Sequence, residues 1–134
     1  MTPKAVSFVV LSLAIAAFLA IRAFVAGDGD VRVANVKVPE LSSDAETGRA
    51  LFEENCVACH GENAAGTEAG PPLVHAVYAP EHHSDQAFQL AVARGVTAHH
   101  WSFGNMAPVE GLSQTEVEKI AAYVRELQRA NGIL

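Results

Sequence analysis

Two cysteines, two methionines, one tryptophan and nine basic residues are all that this 134-residue chain has of those types. Two cysteines cannot build a disulfide-dense scaffold. With 9 Lys+Arg against 15 Asp+Glu the net charge is −6, which argues against nucleic acid as a partner, since phosphate binding needs clustered cations. A charged fraction of 18% beside 50% apolar residues is too hydrophobic for general disorder. The length allows one globular domain and an appendage, and leaves no room for a multidomain enzyme. No internal repeat is visible.

What is present is unevenly placed. Residues 5–26 read AVSFVVLSLAIAAFLAIRAFVA, 22 residues in which Arg22 is the single charge. As a helix this stretch would be roughly 33 Å long, enough for a hydrocarbon core of about 30 Å. A cleaved secretory signal would need small residues at positions −3 and −1 of the cut. Ala26 has Phe24 two before it and Ala23 has Ile21, so residues 1–26 read as a retained membrane anchor that contacts lipid. Arg22 can keep its stem in lipid while the guanidinium reaches headgroups. Lys4 precedes the anchor while Arg22, Arg32 and Lys37 lie at or after its end, so the flanking charges do not orient it.

Residues 27–43, GDGDVRVANVKVPELSS, read as a tether. Valine alternates with polar residues through VRVANVKV, which allows a short edge strand. As loose chain the tether would average roughly 22 Å end to end. All 15 acidic residues and seven of the nine basic ones follow the anchor. This acidity favours solubility and could steer a basic partner, or it is an ordinary solvated surface.

Three helices are predicted in the remaining part, which is all-α. The first is capped at Ser43 with Glu46 in a capping box and runs through AETGRALFEENCVAC. Ser84 caps a middle helix, DQAFQLAVAR, that Gly95 closes as a left-handed terminator. Ser113 with Glu116 opens the last, TEVEKIAAYVRELQRAN. Its Val117, Ile120, Ala121, Val124 and Leu127 share one face, with Tyr123 beside them. The segments 61–83 and 96–112 are rich in Gly, Pro and His.

Both cysteines fall in Cys56-Val57-Ala58-Cys59-His60. On a helix, positions i and i+3 put both sulfurs on one side, with the adjacent imidazole in reach of whatever they hold. C-x-x-C-H is the attachment signature of c-type haem: two thioethers to the porphyrin and a histidine nitrogen on the iron. Two other chemistries compete for the motif. A redox dithiol suits an α/β setting, whereas these flanks are helical. A structural zinc needs two more ligands at suitable spacing, and His82-His83 and His99-His100 are adjacent pairs.

Elimination points to the sixth iron ligand. Met1 stands before the anchor, which leaves Met106, in the Gly- and Pro-containing loop Phe103-Gly104-Asn105-Met106-Ala107-Pro108. A thioether favours reduced iron, so a His/Met pair raises the potential relative to His/His. With both axial positions closed, such a site exchanges electrons and makes no bonds.

On these residues the chain resembles the class I c-type cytochromes, in their membrane-anchored bacterial form. The resemblance covers residues 44–134. Gly48 and Phe52 are similar to the positions that cross the C-terminal helix in that family, with Tyr123 as the matching aromatic. Gly70-Pro71-Pro72-Leu73 is similar to the loop after the haem motif, whose first proline carbonyl, here Pro71, accepts from the ligand histidine. Met106-Ala107-Pro108 departs slightly from the family's direct Met-Pro. The resemblance implies one covalently attached haem c, held by Cys56, Cys59, His60 and Met106; a domain this small has a modest core, so it is expected not to fold stably without the haem. It also implies a periplasmic haem domain on the cytoplasmic (inner) membrane and membrane redox complexes as electron donor and acceptor. The chain is then an electron carrier and not an enzyme, either a shuttle or a fixed haem subunit of a larger complex. A catalytic or gas-binding haem protein would instead need an iron position that opens.

His75, His82, His83, His99 and His100 are less usual. They could form a second metal site, replace Met106, or simply bond propionates, backbone and solvent, which is the preferred reading. Trp101 suits a haem wall, a propionate donor or ordinary core.

Overall fold

A computed structural model describes residues 15–17, 33 and 35–133. The anchor expected over 1–26 lies outside the described residues, except for a helical turn at 15–17. Among the described residues no helix is long and apolar enough to cross a membrane. The chain divides into two compact units, Met1–Asp30 and Val31–Leu134. The second contains the cysteine motif, all the predicted helices and the histidine-rich segments.

This second unit is helical: α1 (Ser43–Asn55), the single turn α2 (Val57–His60), α3 (Asp85–Arg94) and α4 (Gln114–Ala130). Short 3-10 turns stand at Glu62–Ala64 and Ala76–Tyr78. The extended pairing among the described residues is one isolated bridge, Val96 with Met106.

Helix α4 is the spine. Its capping box forms as expected: the Ser113 hydroxyl accepts from the Glu116 N–H and the Glu116 carboxylate accepts from Ser113 N. The predicted face is buried, with Val117, Ile120, Ala121, Tyr123, Val124 and Leu127 all at most 3% exposed. Helix α1 crosses it at Gly48, where a Cβ would lie 1.9 Å from the Lys119 carbonyl oxygen. Only glycine permits so close a backbone approach. One turn on, Phe52 meets Tyr123 edge-on, with ring centroids 5.6 Å apart. Ala45, Ala64, Val74, Ile120, Val124 and Leu127 complete the core, whose burial is the main favourable term in folding.

Five local expectations are corrected. Helix α1 ends at Asn55 and breaks at Cys56 instead of running on through Cys59. The cap of α1 is Ser42, not Ser43. The Ser42 hydroxyl and N–H both donate to the Glu126 carboxylate on α4, so a tertiary contact fixes which serine ends the helix. Ser84 precedes α3 without a side-chain cap bond. Gly95 has φ +72° but ψ −175°, an extended left-side conformation open essentially to glycine alone. The edge strand is absent from the described part of 31–38, where Asn35 turns the chain at φ +61°.

Much of the expected tether is bonded to the domain. Val33 N donates to Ala65 O at 2.8 Å, and Lys37 exchanges two 2.9 Å bonds with the Asn131 side chain. With Ser42 on Glu126, these bonds hold its second half in place.

Candidate functional site

The cysteine segment is built by a helix that stops and restarts. Cys56 leaves the helical conformation, at φ −123°, while its N–H still donates to Phe52 O at 2.8 Å. Its own carbonyl then accepts from Cys59 N at 3.2 Å and His60 N at 2.9 Å, so Cys56, Cys59 and His60 share one turn. The cysteines are not bonded to each other; Cys56 is half-buried and Cys59 exposed.

Gly61, at φ +73°, then turns the chain back over this motif. Gly66 N donates to His60 O at 2.6 Å and the Thr67 hydroxyl to Cys59 O at 2.6 Å. A Cβ on Gly70 would sit 2.9 Å from Cys59 O. This backbone-on-backbone packing leaves Pro71 O 2.9 Å from His60 Nδ1. A carbonyl can only accept, so Nδ1 carries the hydrogen and Nε2 keeps its lone pair. Burial pushes the His60 pKa down, partly opposed by the bond to Pro71. A neutral ring with one committed nitrogen is the state in which histidine binds a metal.

Burial, and then the charge of Cys59, pushes the Cys56 thiol up to about 11. Among the described residues, the group placed to share a metal is His82, His83 and His100, which includes neither cysteine.

Met106 comes from a separate segment. Its N–H donates to Val96 O at 2.9 Å and its carbonyl accepts from Val96 N at 3.0 Å, closing a loop over 97–105. Gly95 makes this pairing possible, because a Cβ there would lie 2.4 Å from Met106 O. Met106 is half-buried, as are Val92, Val96 and Val109, and α3 has no fully buried residue. Such apolar side chains, left partly uncovered by protein, suit a large flat apolar cofactor. The residues present therefore fit a c-type haem. Cys56, Cys59, His60 and Pro71 form one bonded unit, and Met106 is positioned independently of it.

Trp101 donates from Nε1 to the Tyr78 hydroxyl at 3.1 Å and packs on His75 at 5.0 Å between centroids. The His75 Nδ1 accepts from Val77 N at 3.2 Å, an ordinary structural role.

A buried polar knot on α4 was not anticipated. Arg125, 6% exposed, donates to Asp85 at 2.8 Å, to Tyr78 O and Gln128 Oε1 at 2.7 Å each, and to His83 O. Gln128 also donates to Leu73 O at 2.7 Å. The signal was the i, i+4, i+7 spacing of Ala121, Arg125 and Gln128, which sets both polar residues on the core face. This knot ties α4 to the loop after Pro71 and to the turn before α3.

Comparison with known proteins places the arrangement. Residues 45–128 match the family described as Cytochrome c. The chain is 29% identical over 92 residues to the cbb3-type cytochrome c oxidase subunit CcoP of Rhodobacter capsulatus, covering 66% of this chain and 31% of that protein. It is 38% identical over 87 residues to the FixP subunit of the same oxidase type from Bradyrhizobium sp., covering 63% and 28%. It is 29% identical over 82 residues to the cytochrome c subunit of menaquinol:cytochrome c reductase from Bacillus subtilis, covering 59% and 32%. The chain thus spans about a third or less of these relatives. No solved structure gives a significant match. Since the family match takes in well over half of the chain and contains the whole cysteine, histidine and methionine constellation, the protein belongs to the cytochrome c family.

Proposed function

We propose that this chain is a membrane-anchored periplasmic cytochrome c that passes single electrons between respiratory or photosynthetic membrane complexes. Membership of the family implies electron transfer through covalently bound c-type haem. In this reading Cys56 and Cys59 would hold one haem by thioethers, and His60 Nε2 and the Met106 sulfur would ligate its iron. Bound there, the haem supplies a one-electron Fe(III)/Fe(II) couple.

The observation that carries the reading is the 2.9 Å bond from His60 Nδ1 to Pro71 O. It orients the ring, fixes the tautomer and strengthens Nε2 as a ligand. The loop that provides it is packed directly on the cysteine turn, so the ligand has little freedom to move when charge arrives. The Met106 backbone, though not its side chain, is held by two bonds to Val96. A positioned ligand ring and an anchored ligand segment would keep reorganisation small, which is what a carrier needs.

A fixed haem subunit of a larger complex is the second reading. It is favoured by the relatives, which are subunits of a cbb3-type oxidase and of a menaquinol:cytochrome c reductase. Ala16, Ala20 and Ala23 in the anchor sequence would allow close packing against other membrane helices. Stoichiometric co-purification in mild detergent separates a fixed subunit from a shuttle.

The test of ligation is optical. The oxidised wild type should show the weak near-infrared band of sulfur-to-iron charge transfer, and Met106→Ala should lose it. A band that survives the substitution refutes Met106 as ligand. Prompt carbon monoxide binding to the reduced wild type at neutral pH refutes the carrier mechanism.

A further inference from the structure

The sequence carries His82-His83 and His99-His100 as two adjacent pairs far from each other in the chain, and the fold brings them together. His82 and His83 end the turn after Ala76–Tyr78, where both N–H groups donate to Ala79 O, at 2.9 and 2.8 Å. His99 and His100 lie on the loop closed by Val96 and Met106. Ring centroids stand 4.7 Å apart for His82 and His83, 5.2 Å for His82 and His100, and 5.3 Å for His83 and His100. One ring nitrogen from each of these three lies within 4.8 Å of the other two.

The cluster is prepared as a ligand set. His83 Nδ1 lies 2.7 Å from Val77 O, and facing a carbonyl it must donate, which leaves the Nε2 lone pair free. His99 Nδ1 makes the same kind of bond to Thr97 O at 2.8 Å. A ring whose second nitrogen is committed to a carbonyl is the usual state of a metal-bound histidine. The His83 backbone is anchored as well, since its carbonyl accepts from buried Arg125. His82 and His100 are exposed and free to adjust their rotamers. Nitrogens on one tetrahedral ion stand roughly 3.3 Å apart, given metal–nitrogen bonds of about 2.0 to 2.1 Å. The rings therefore close by roughly an ångström on binding, a movement that the two exposed side chains can supply.

We propose that His82, His83 and His100 bind one divalent transition-metal ion from the copper and zinc end of the series, outside the haem site. The group is all imidazole, which suits copper and zinc and offers nothing to calcium or magnesium, ions that take oxygen ligands. His99, its ring 4.3 Å from that of His100 and stacked on His83 at 6.1 Å, stands beside the three as a fourth imidazole. The bound ion staples the turn at 79–83 to the loop that ends in Met106. The site requires none of the haem-ligating residues, so it stands or falls separately from the proposed function.

The test uses the full-length, haem-loaded protein in detergent, first stripped of loose metal with a chelator. Copper(II) and zinc(II) are titrated separately by equilibrium dialysis, with bound metal counted per chain. One ion per chain is expected, with nitrogen hyperfine structure in the electron paramagnetic resonance spectrum of the copper form. The His82→Gln/His100→Gln double variant should bind at least about tenfold more weakly, while His75→Gln binds as wild type does. Helical circular dichroism and the haem absorption spectrum, unchanged in the variants, show that folding and haem attachment persist. Absence of stoichiometric binding by the wild type, or equal binding by the double variant, overturns the proposal. Calcium binding as tight as copper or zinc binding does so too.

Discussion

Gly95→Ala probes the positioning of Met106 directly. Two penalties act at once. Gly95 has φ +72° and ψ −175°, a conformation that costs a residue with a Cβ about 1 to 3 kcal/mol. The new methyl would also lie 2.4 Å from Met106 O, and reaching an ordinary contact distance moves the Met106 backbone by roughly 1 Å. A shift of that size breaks one or both of the bonds to Val96, at 2.9 and 3.0 Å, each contributing about 0.5 to 1.5 kcal/mol. The sum is a loss of about 1.5 to 6 kcal/mol, with the ligand segment displaced. Gly104→Ala is the matched control, because Gly104 lies in the same loop at φ +90° with nothing within 4 Å of an added Cβ. It carries backbone strain and no clash. Chemical denaturation of the two variants, read with the near-infrared sulfur band, separates strain from displacement. Gly95→Ala should lose more stability and weaken or abolish the band, whereas Gly104→Ala should keep it. Equal destabilisation with the band intact in both would refute the idea that the close approach at Gly95 places Met106.

Gly48→Ala should separate α1 from α4, since the methyl would lie 1.9 Å from Lys119 O; a loss of about 3 kcal/mol or more is expected in denaturant unfolding, and a wild-type midpoint would disprove it. Arg125→Leu leaves His83 O and Gln128 Oε1 without their donor, at about 2 to 4 kcal/mol; the Asp85 partner is exposed, so its ion pair adds little. The same variant should weaken metal binding at His83, measured by equilibrium dialysis with copper(II). Bonds from the Ser113 N–H, and then from its hydroxyl, hold the Glu116 carboxylate below its ordinary pKa. A depressed folded-state value means that the capping contribution is present above the unfolded pKa and is lost as pH falls through the folded one. Nuclear magnetic resonance titration of Glu116 should show this low midpoint, and Ser113→Ala should raise it.

Local patterns were legible wherever the chemistry sits in consecutive residues. The Ser113 and Glu116 capping box and the apolar face of α4 needed no tertiary information, because a helix period and a three-residue spacing specify both. The first helix start was misplaced by one residue because Ser42 and Ser43 are equivalent caps locally, and Glu126 on α4 decides between them. Spacing puts Arg125 on the core face of α4, but only the fold brings the backbone carbonyls of Tyr78 and His83 onto its guanidinium. The Pro71 carbonyl was reachable by family resemblance, but no spacing rule would find it, since it depends on Gly66, Thr67 and Gly70 packing the loop onto the cysteine turn.

By itself, then, the sequence determined the cofactor chemistry and the helical class: a haem-attachment signature that uses both cysteines, and amphipathic segments bounded by recognisable caps. Both are short-range properties, carried by neighbours along the chain. The tertiary structure decided which nitrogen of His60 is committed, how Gly95 seats the methionine segment, and that two distant histidine pairs form one cluster. Those outcomes depend on approaches of a few ångströms between segments remote in sequence. Such approaches are set by close packing of the whole domain, to which no local pattern is sensitive.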